Sequence, residues 1–224
     1  MLENLDRPRK YDAVLGGKNP PPLTGAVLGG VAGVKHRLKS NSPELRVTTI
    51  MEALSYGNAG LEVIIQALDD EAKQVRDTAC LLLQTKSAKL FLLKKDVAIW
   101  NKWREHIIRL EGTNLDLSAA NLSGANLCGF NLIQANLINA NLKDANLSGA
   151  NLQGANLSDA NLVGANLSGA MLSGALLSKT NLSGAILSEA NLIGANLNKA
   201  NLSGANFDGA VFHQTIMPDG KICE

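Results

Sequence analysis

The chain has 224 residues, 46% hydrophobic and 18% charged, with 21 Lys and Arg against 20 Asp and Glu, a composition that excludes a disordered polyelectrolyte and a disulfide-dense scaffold. Near-neutrality hides two unlike parts: residues 1–111 carry 17 basic and 13 acidic side chains and residues 112–224 carry 4 and 7, so neither has the sustained field of a nucleic-acid or anionic-membrane binder. Of 23 Asn, 18 follow Glu111, as do 20 of 37 Leu, while both Trp and both Tyr precede it, which places two architectures in one chain.

Residues 1–40 read as an extended, turn-rich segment leading into helices. Ala13-Val14-Leu15-Gly16-Gly17 recurs as Ala26-Val27-Leu28-Gly29-Gly30, with Pro20, Pro21 and Pro22 between. The opening Met1 to Lys10 holds no apolar core of the kind a secretory signal needs, so the expected compartment is the cytoplasm. Cys80, Cys128 and Cys223 are odd in number and widely spaced, which predicts reduced thiols and no metal site. Gly29 to Lys35 is as rich in glycine as a phosphate loop, but it lacks the Gly-Lys-Ser/Thr ending and a preceding strand, so its predicted role is structural.

Residues 41–110 read as a helical domain with a capping helix. Ser42 before Pro43 is a helix start and Asp70 can cap another. Leu61, Ile64, Ile65 and Leu68 keep helical spacing between them, as do Val75, Ala79, Leu82 and Leu83 beyond. The segments 42–54 and 70–83 align at an offset of thirty, with Arg46 over Arg76. These paired helices, each with an early Arg in its second member, resemble HEAT or HEAT-like repeats, a resemblance that implies protein binding. In some HEAT-like proteins of photosynthetic bacteria it implies attachment of bilins to phycobiliproteins, although no chromophore-site motif stands in this chain. Two further helices are predicted between Ser87 and Leu110. The second sets Trp103 with Ile99 and Ile107 on one stripe, expected to cap the end of whatever follows. The alternative for Trp100, Lys102, Trp103 and Arg104 is a basic-aromatic nucleic-acid site.

From 111 to 217 the pattern changes. Leu stands at every fifth position from Leu117 through Leu202, followed in register by Phe207, Phe212 and Met217. Two places earlier, from 120 to 210, Ala fills all but Phe130 and Thr180, and Asn usually separates the two. On a helix at 100° per residue a period of five spirals the Leu around the axis, and on a straight strand it flips each Leu to the opposite face. Only a coil satisfies it. Ala and Leu, two apart, face inward along a short side, and the two residues after each Leu make the corner. Gly takes the last place of eleven of the twenty units between Leu117 and Phe212, as a turn with φ > 0 favours.

These units resemble the pentapeptide-repeat family from Leu115 to Met217. The resemblance implies a right-handed quadrilateral β-helix with four units per coil and about five coils, so the whole chain reads as an α + β solenoid. Phe207 and Phe212 are expected to close the far end. His213 to Gly220 resembles the family's closing segment, its Pro218-Asp219-Gly220 leading the chain away into a tail, 218–224. The uncharged stretch from Ala160 to Ser178 has the length of a membrane span, but Asn161, Asn166 and the repeat itself explain it better.

Some pentapeptide-repeat proteins regulate DNA gyrase by imitating a DNA duplex, which needs a sustained acidic surface. Here the strongest outward column, Asn139, Asp159, Lys179 and Lys199, is mixed in sign. More informative are apolar residues where Asn is usual: Met171, Leu176 and Ile186, candidates for binding a protein. Val211, Phe212 and Ile216 are candidate contacts of a homodimer, since family members can pair end to end through the C-terminal coil. His36, His106 and His213 lie in unlike contexts, with no nucleophile or carboxylate pattern around them. The expectation is a non-enzymatic interaction or scaffold protein with no cofactor or metal and a protein partner of unknown identity; the alternatives are the gyrase regulator and a bilin-attachment factor or its chaperone.

Overall fold

The computed structural model describes residues 29–112 and 115–224. The doubled Ala-Val-Leu-Gly-Gly motif and the three prolines fall largely outside them. The chain divides between Phe91 and Leu92 into two compact units.

The first unit is helical: α1 (Gly30–Arg37), α2 (Pro43–Ala53), α3 (Gly57–Gln66), α4 (Lys73–Leu82) and α5 (Lys86–Leu92), the last ending at the division. Ser42 caps α2 by accepting from the Leu45 N–H at 3.2 Å, with Pro43 in the first turn, as its sequence dictates. Helix α1 lies where the sequence suggests extended chain. Its Gly30 and Gly33 are buried with Val31 and Val34, so packing against α2 and α3 overrides the poor helix propensity of glycine. Asp70 does not cap α4, which starts after Ala72. Its carboxylate accepts the Ala72 N–H at 2.8 Å and holds both Nε and Nη2 of Arg46, at 2.8 and 2.9 Å.

The thirty-residue offset is visible in the bonding. Arg46 donates to the Ser40 carbonyl, and Arg76, thirty residues on, donates to the Asp70 carbonyl. Each arginine therefore ties its own helix to the loop six residues before it. The bidentate carboxylate beside Arg46 raises its pKa further.

The second unit contains α6 (Val97–Glu111), the short strands β1 (Leu115–Asp116) and β2 (Ala135–Asn136), a run of isolated bridges, and the hairpin strands β3 (Thr215–Ile216) and β4 (Ile222–Cys223). Leu115 pairs with Ala135, and the parallel bridges continue as Asn121 with Asn141, Asn126 with Asn146, and so on to Asn196 with Ile216. Every pairing spans twenty residues, four five-residue units, so the chain winds as a β-helix and pairs with itself one turn on.

Units with a coil above them repeat one set of bonds. In one, the Leu122 N–H reaches Asn141 O at 2.8 Å, Gly124 N–H reaches Lys143 O at 2.8 Å, and Asn141 N–H returns to Ala120 O at 2.9 Å. The corner is closed by the Ala125 N–H on Leu122 O at 3.1 Å. The third residue of that four-residue turn has positive φ, the signature of a type II turn. From Ala119 to Gln214 every last place has φ between 51 and 70°, glycine or not. The coil dictates the backbone there, and nine side chains tolerate it.

Inside, every repeat Leu from Leu127 to Leu197 is at most 1% exposed, so the interior is a dry stack of Leu and Ala. The two exceptions in the Ala column obey the same rule. Phe130 is buried under α6, its ring 5.6 Å from that of Trp100, and Thr180 satisfies its hydroxyl by donating to Leu157 O at 2.7 Å. At the far end Phe207 and Phe212 stack with ring centroids 5.5 Å apart, only half-buried.

Candidate interaction surfaces

The asparagines facing outward have a structural job. Each accepts, through Oδ1, the backbone N–H two residues on, as Asn166 does from Ser168 at 3.0 Å and Asn206 from Asp208 at 2.8 Å. Neighbouring coils are stitched where Asn141 Nδ2 donates to Asn121 Oδ1 and Asn161 Nδ2 to Asn141 Oδ1, both at 3.3 Å. An apolar residue at this place can do neither.

Met171, Leu176 and Ile186 occupy this place and are 37, 41 and 43% exposed in the order Met171, Ile186, Leu176. The coil does not gather them on one side. Met171 stacks between Asn151 and Asn191, Leu176 between Asn156 and Asn196, and Ile186 between Asn166 and Asn206, which puts them on three successive sides. Val211 lies on Asn191 and so shares the side of Met171, and Ile216 lies on Asn196 and shares that of Leu176. Val211 is 48% exposed, whereas Phe212 and Ile216 are half-buried. Ile216 also pairs with Ile222 across the hairpin, whose turn is held by Gly220 N–H on Met217 O at 2.9 Å and by Lys221 on Asp219.

The aromatic-basic run of α6 is turned inward. Trp100 and Arg104 are fully buried and Trp103 is 1% exposed, so no stacking platform for bases exists there and the capping role is the one realised. Trp100 Nε1 donates to Asn131 O at 2.9 Å and Arg104 Nη2 to Ile133 O at 2.8 Å, while Asn101 accepts from Asn131 N–H at 2.8 Å and donates to Gly129 O at 3.0 Å. Burial lowers the Arg104 pKa to about 10. Asn101 and Arg104 carry no local sequence signal as cap contacts; the helical stripe marks the face but not a buried cation.

Among the described residues no cluster of His, Cys, Asp and Glu is arranged to hold a metal ion, and no helix is long and apolar enough to cross a membrane. Cys80 is buried and its thiol is pushed up to about 12, first by desolvation and then by the Asp77 charge. Cys128 is exposed.

A closed coil with four units per turn, filled by Leu and Ala, defines a solenoid of stacked pentapeptides. The family model "Pentapeptide repeats (8 copies)" matches residues 116–154, 140–178, 150–188 and 175–214. The chain belongs to the pentapeptide-repeat family. It is 34% identical to HetL, a pentapeptide repeat protein involved in heterocyst differentiation regulation from Nostoc sp. strain PCC 7120, over 49% of this chain and 68% of that one, with a TM-score of 0.34. It is 42% identical to Rfr23, a pentapeptide repeat protein from the cyanobacterium Cyanothece 51142, over 46% of this chain and 63% of that one, with a TM-score of 0.32. No curated protein matches the chain.

Proposed function

We propose that the protein is a non-enzymatic interaction or scaffold protein, in which a HEAT-like helical head engages one protein and a rod of about five coils presents a second surface or sets a spacing. The filled interior carries this reading: with every repeat Leu from Leu127 to Leu197 at most 1% exposed, variation in the rod is free only on its outside. The equivalent arginine ties of Arg46 and Arg76 support the HEAT-like reading of the helices. Three cysteines outside any disulfide fit a reducing compartment and the cytoplasm. The mixed column of Asn139, Asp159, Lys179 and Lys199 lacks the continuous acidity that imitation of DNA requires.

Met171, Leu176 and Ile186 are the proposed protein-binding residues of the rod. Each gives up the bond to the backbone N–H two residues on that its stacked Asn neighbours make, which a purely structural coil has no reason to do. Val211, Phe212 and Ile216 are the proposed contacts of a homodimer at the C-terminal end. The experiment is affinity copurification with mass spectrometry, comparing the full chain with the triple variant Met171→Asn, Leu176→Asn, Ile186→Asn. A partner lost in the variant, with the rod still folded, identifies these residues as the contact. A full chain that retains no protein at all refutes the interaction role.

A further inference from the structure

Among the described residues no coil lies beneath the first, and helix α6 shows what that edge requires. At Asn131 the helix supplies two donors and one acceptor: Trp100 Nε1 to Asn131 O, Arg104 Nη2 to Ile133 O, and Asn101 Oδ1 from Asn131 N–H. This matches what a preceding coil supplies at Asn141, where Leu122 and Gly124 donate N–H groups to Asn141 O and Lys143 O and Ala120 O accepts the Asn141 N–H. Side chains of a helix thus take the place of a strand.

One side back, the same three groups recur without that help. Asn126 O, Cys128 O and Asn126 N–H form the edge there, and among the described residues none of them is paired. Asn126, Cys128 and Ala125 line a cavity of about 590 Å³ that also takes in Leu93, Val97 and Phe130. Leu93 and Phe130 are buried and give it an apolar base. Lys94 and Lys95, both exposed, stand at its mouth.

We propose that this groove takes an extended acidic segment of a partner protein as an added strand. Such a segment donates two backbone N–H groups to Asn126 O and Cys128 O and accepts the Asn126 N–H on one carbonyl. It sets one apolar side chain toward Phe130 and Leu93, and its flanking carboxylates meet Lys94 and Lys95. A phosphate, whose O–H groups sit on one phosphorus, cannot reach both carbonyls and also accept the Asn126 N–H as an extended backbone does. A whole coil of a second copy is blocked, because α6 already holds the adjacent side. The inference rests on the interaction reading only in requiring a protein partner; it concerns a different surface from Met171, Leu176 and Ile186.

The test uses the full-length protein and the peptide Ac-Asp-Glu-Thr-Leu-Thr-Glu-Asp-amide, beside the same peptide with its backbone nitrogens methylated. Binding is followed by hydrogen exchange at the Asn126 amide and by alkylation of Cys128, with Cys223 as internal reference. The expected result is slowing at Asn126 and Cys128 but not Cys223, loss of both effects with the methylated peptide, and about tenfold weaker binding in the Lys94→Glu, Lys95→Glu variant. Equal binding by the methylated peptide overturns the proposal, as does an unchanged Asn126 amide at millimolar peptide. An Asn126 amide already protected in the free protein overturns it too, because the chain then fills its own groove. If the peptide fails while copurification still retains a partner, the groove is lost and the interaction role stands.

Discussion

At Asp159, Lys179 and Lys199 the backbone is left-handed, φ 58 to 59°, a conformation that costs an L-residue roughly 1–2 kcal/mol relative to glycine. Gly169 has the same sign, φ +62°, and a Cβ there meets nothing within 4 Å, so any penalty is purely conformational. Gly169→Ala is expected to destabilise the rod by about 1 kcal/mol, and Lys179→Gly to stabilise it by somewhat less, because glycine also gains freedom in the unfolded chain. Chemical denaturation of both variants checks this; equal and null effects would show that the turn adapts its φ to the residue. Cys80 gives a second residue-level expectation. Its folded pKa of about 12 lies above the ordinary thiol value of 9.0, so its contribution to stability is complete below pH 9 and is lost as pH rises toward 12. The stability difference between the wild type and Cys80→Ala should therefore shrink between pH 8 and pH 10.5, values on either side of the 9.0 reference, while native Cys80 stays unreactive under conditions that alkylate Cys128.

Among the elements, α6 is the one whose role depends most on polar detail. Asn101→Ala removes the partner of the Asn131 N–H and the donor to Gly129 O, an expected loss of about 1–3 kcal/mol. Arg104 separates two effects. Burial disfavours its cation, so Arg104→Met, which keeps the volume and sheds the charge, should be close to neutral, whereas Arg104→Ala leaves a cavity and should cost about 2–4 kcal/mol. If both variants lose stability alike, the bond to Ile133 O dominates instead. The repeat that built the rod was legible because Leu117 to Leu202 hold one period without a break. The docking stripe of Trp103 and Ile107 was legible for the same kind of reason. Arg104 was not, since nothing in the local pattern marks a charged residue whose partner is a carbonyl 29 residues away. Nor was the separation of Met171, Leu176 and Ile186: residues within one coil's length of chain look adjacent in sequence, but that length passes around every side. Helix α1 was hidden by its glycines, whose small size is what lets them be buried.

For the molecule as a whole, the direction of winding makes the two ends of the coil unlike. Each coil donates to the next from its Leu and last-place N–H groups and accepts from the next on its Ala carbonyl. The C-terminal edge therefore ends in donors such as Leu202, Gly204, Phe207 and Gly209, which find no coil above them among the described residues, and the N-terminal edge ends in carbonyls. These edges complement each other, so uncapped rods would add head to tail without closing, the geometry that yields filaments. Two elements oppose this. Helix α6 takes the groups of the Asn131 side, and the hairpin lays β4 antiparallel on β3, where the next coil would continue from Ile216. The triple variant Trp100→Ala, Asn101→Ala, Arg104→Ala exposes one complementary edge and should lengthen into polydisperse chains as concentration rises, measured by sedimentation velocity. The β signature of the rod should persist in circular dichroism, since the coils beyond Phe130 keep their own bonds. Adding Pro at Leu202 or Phe207 to that variant removes a donor from the other edge and should shorten the chains again. A triple variant that remains one discrete size with its rod intact would mean that α6 positions the N-terminal end without being needed to keep it from joining another.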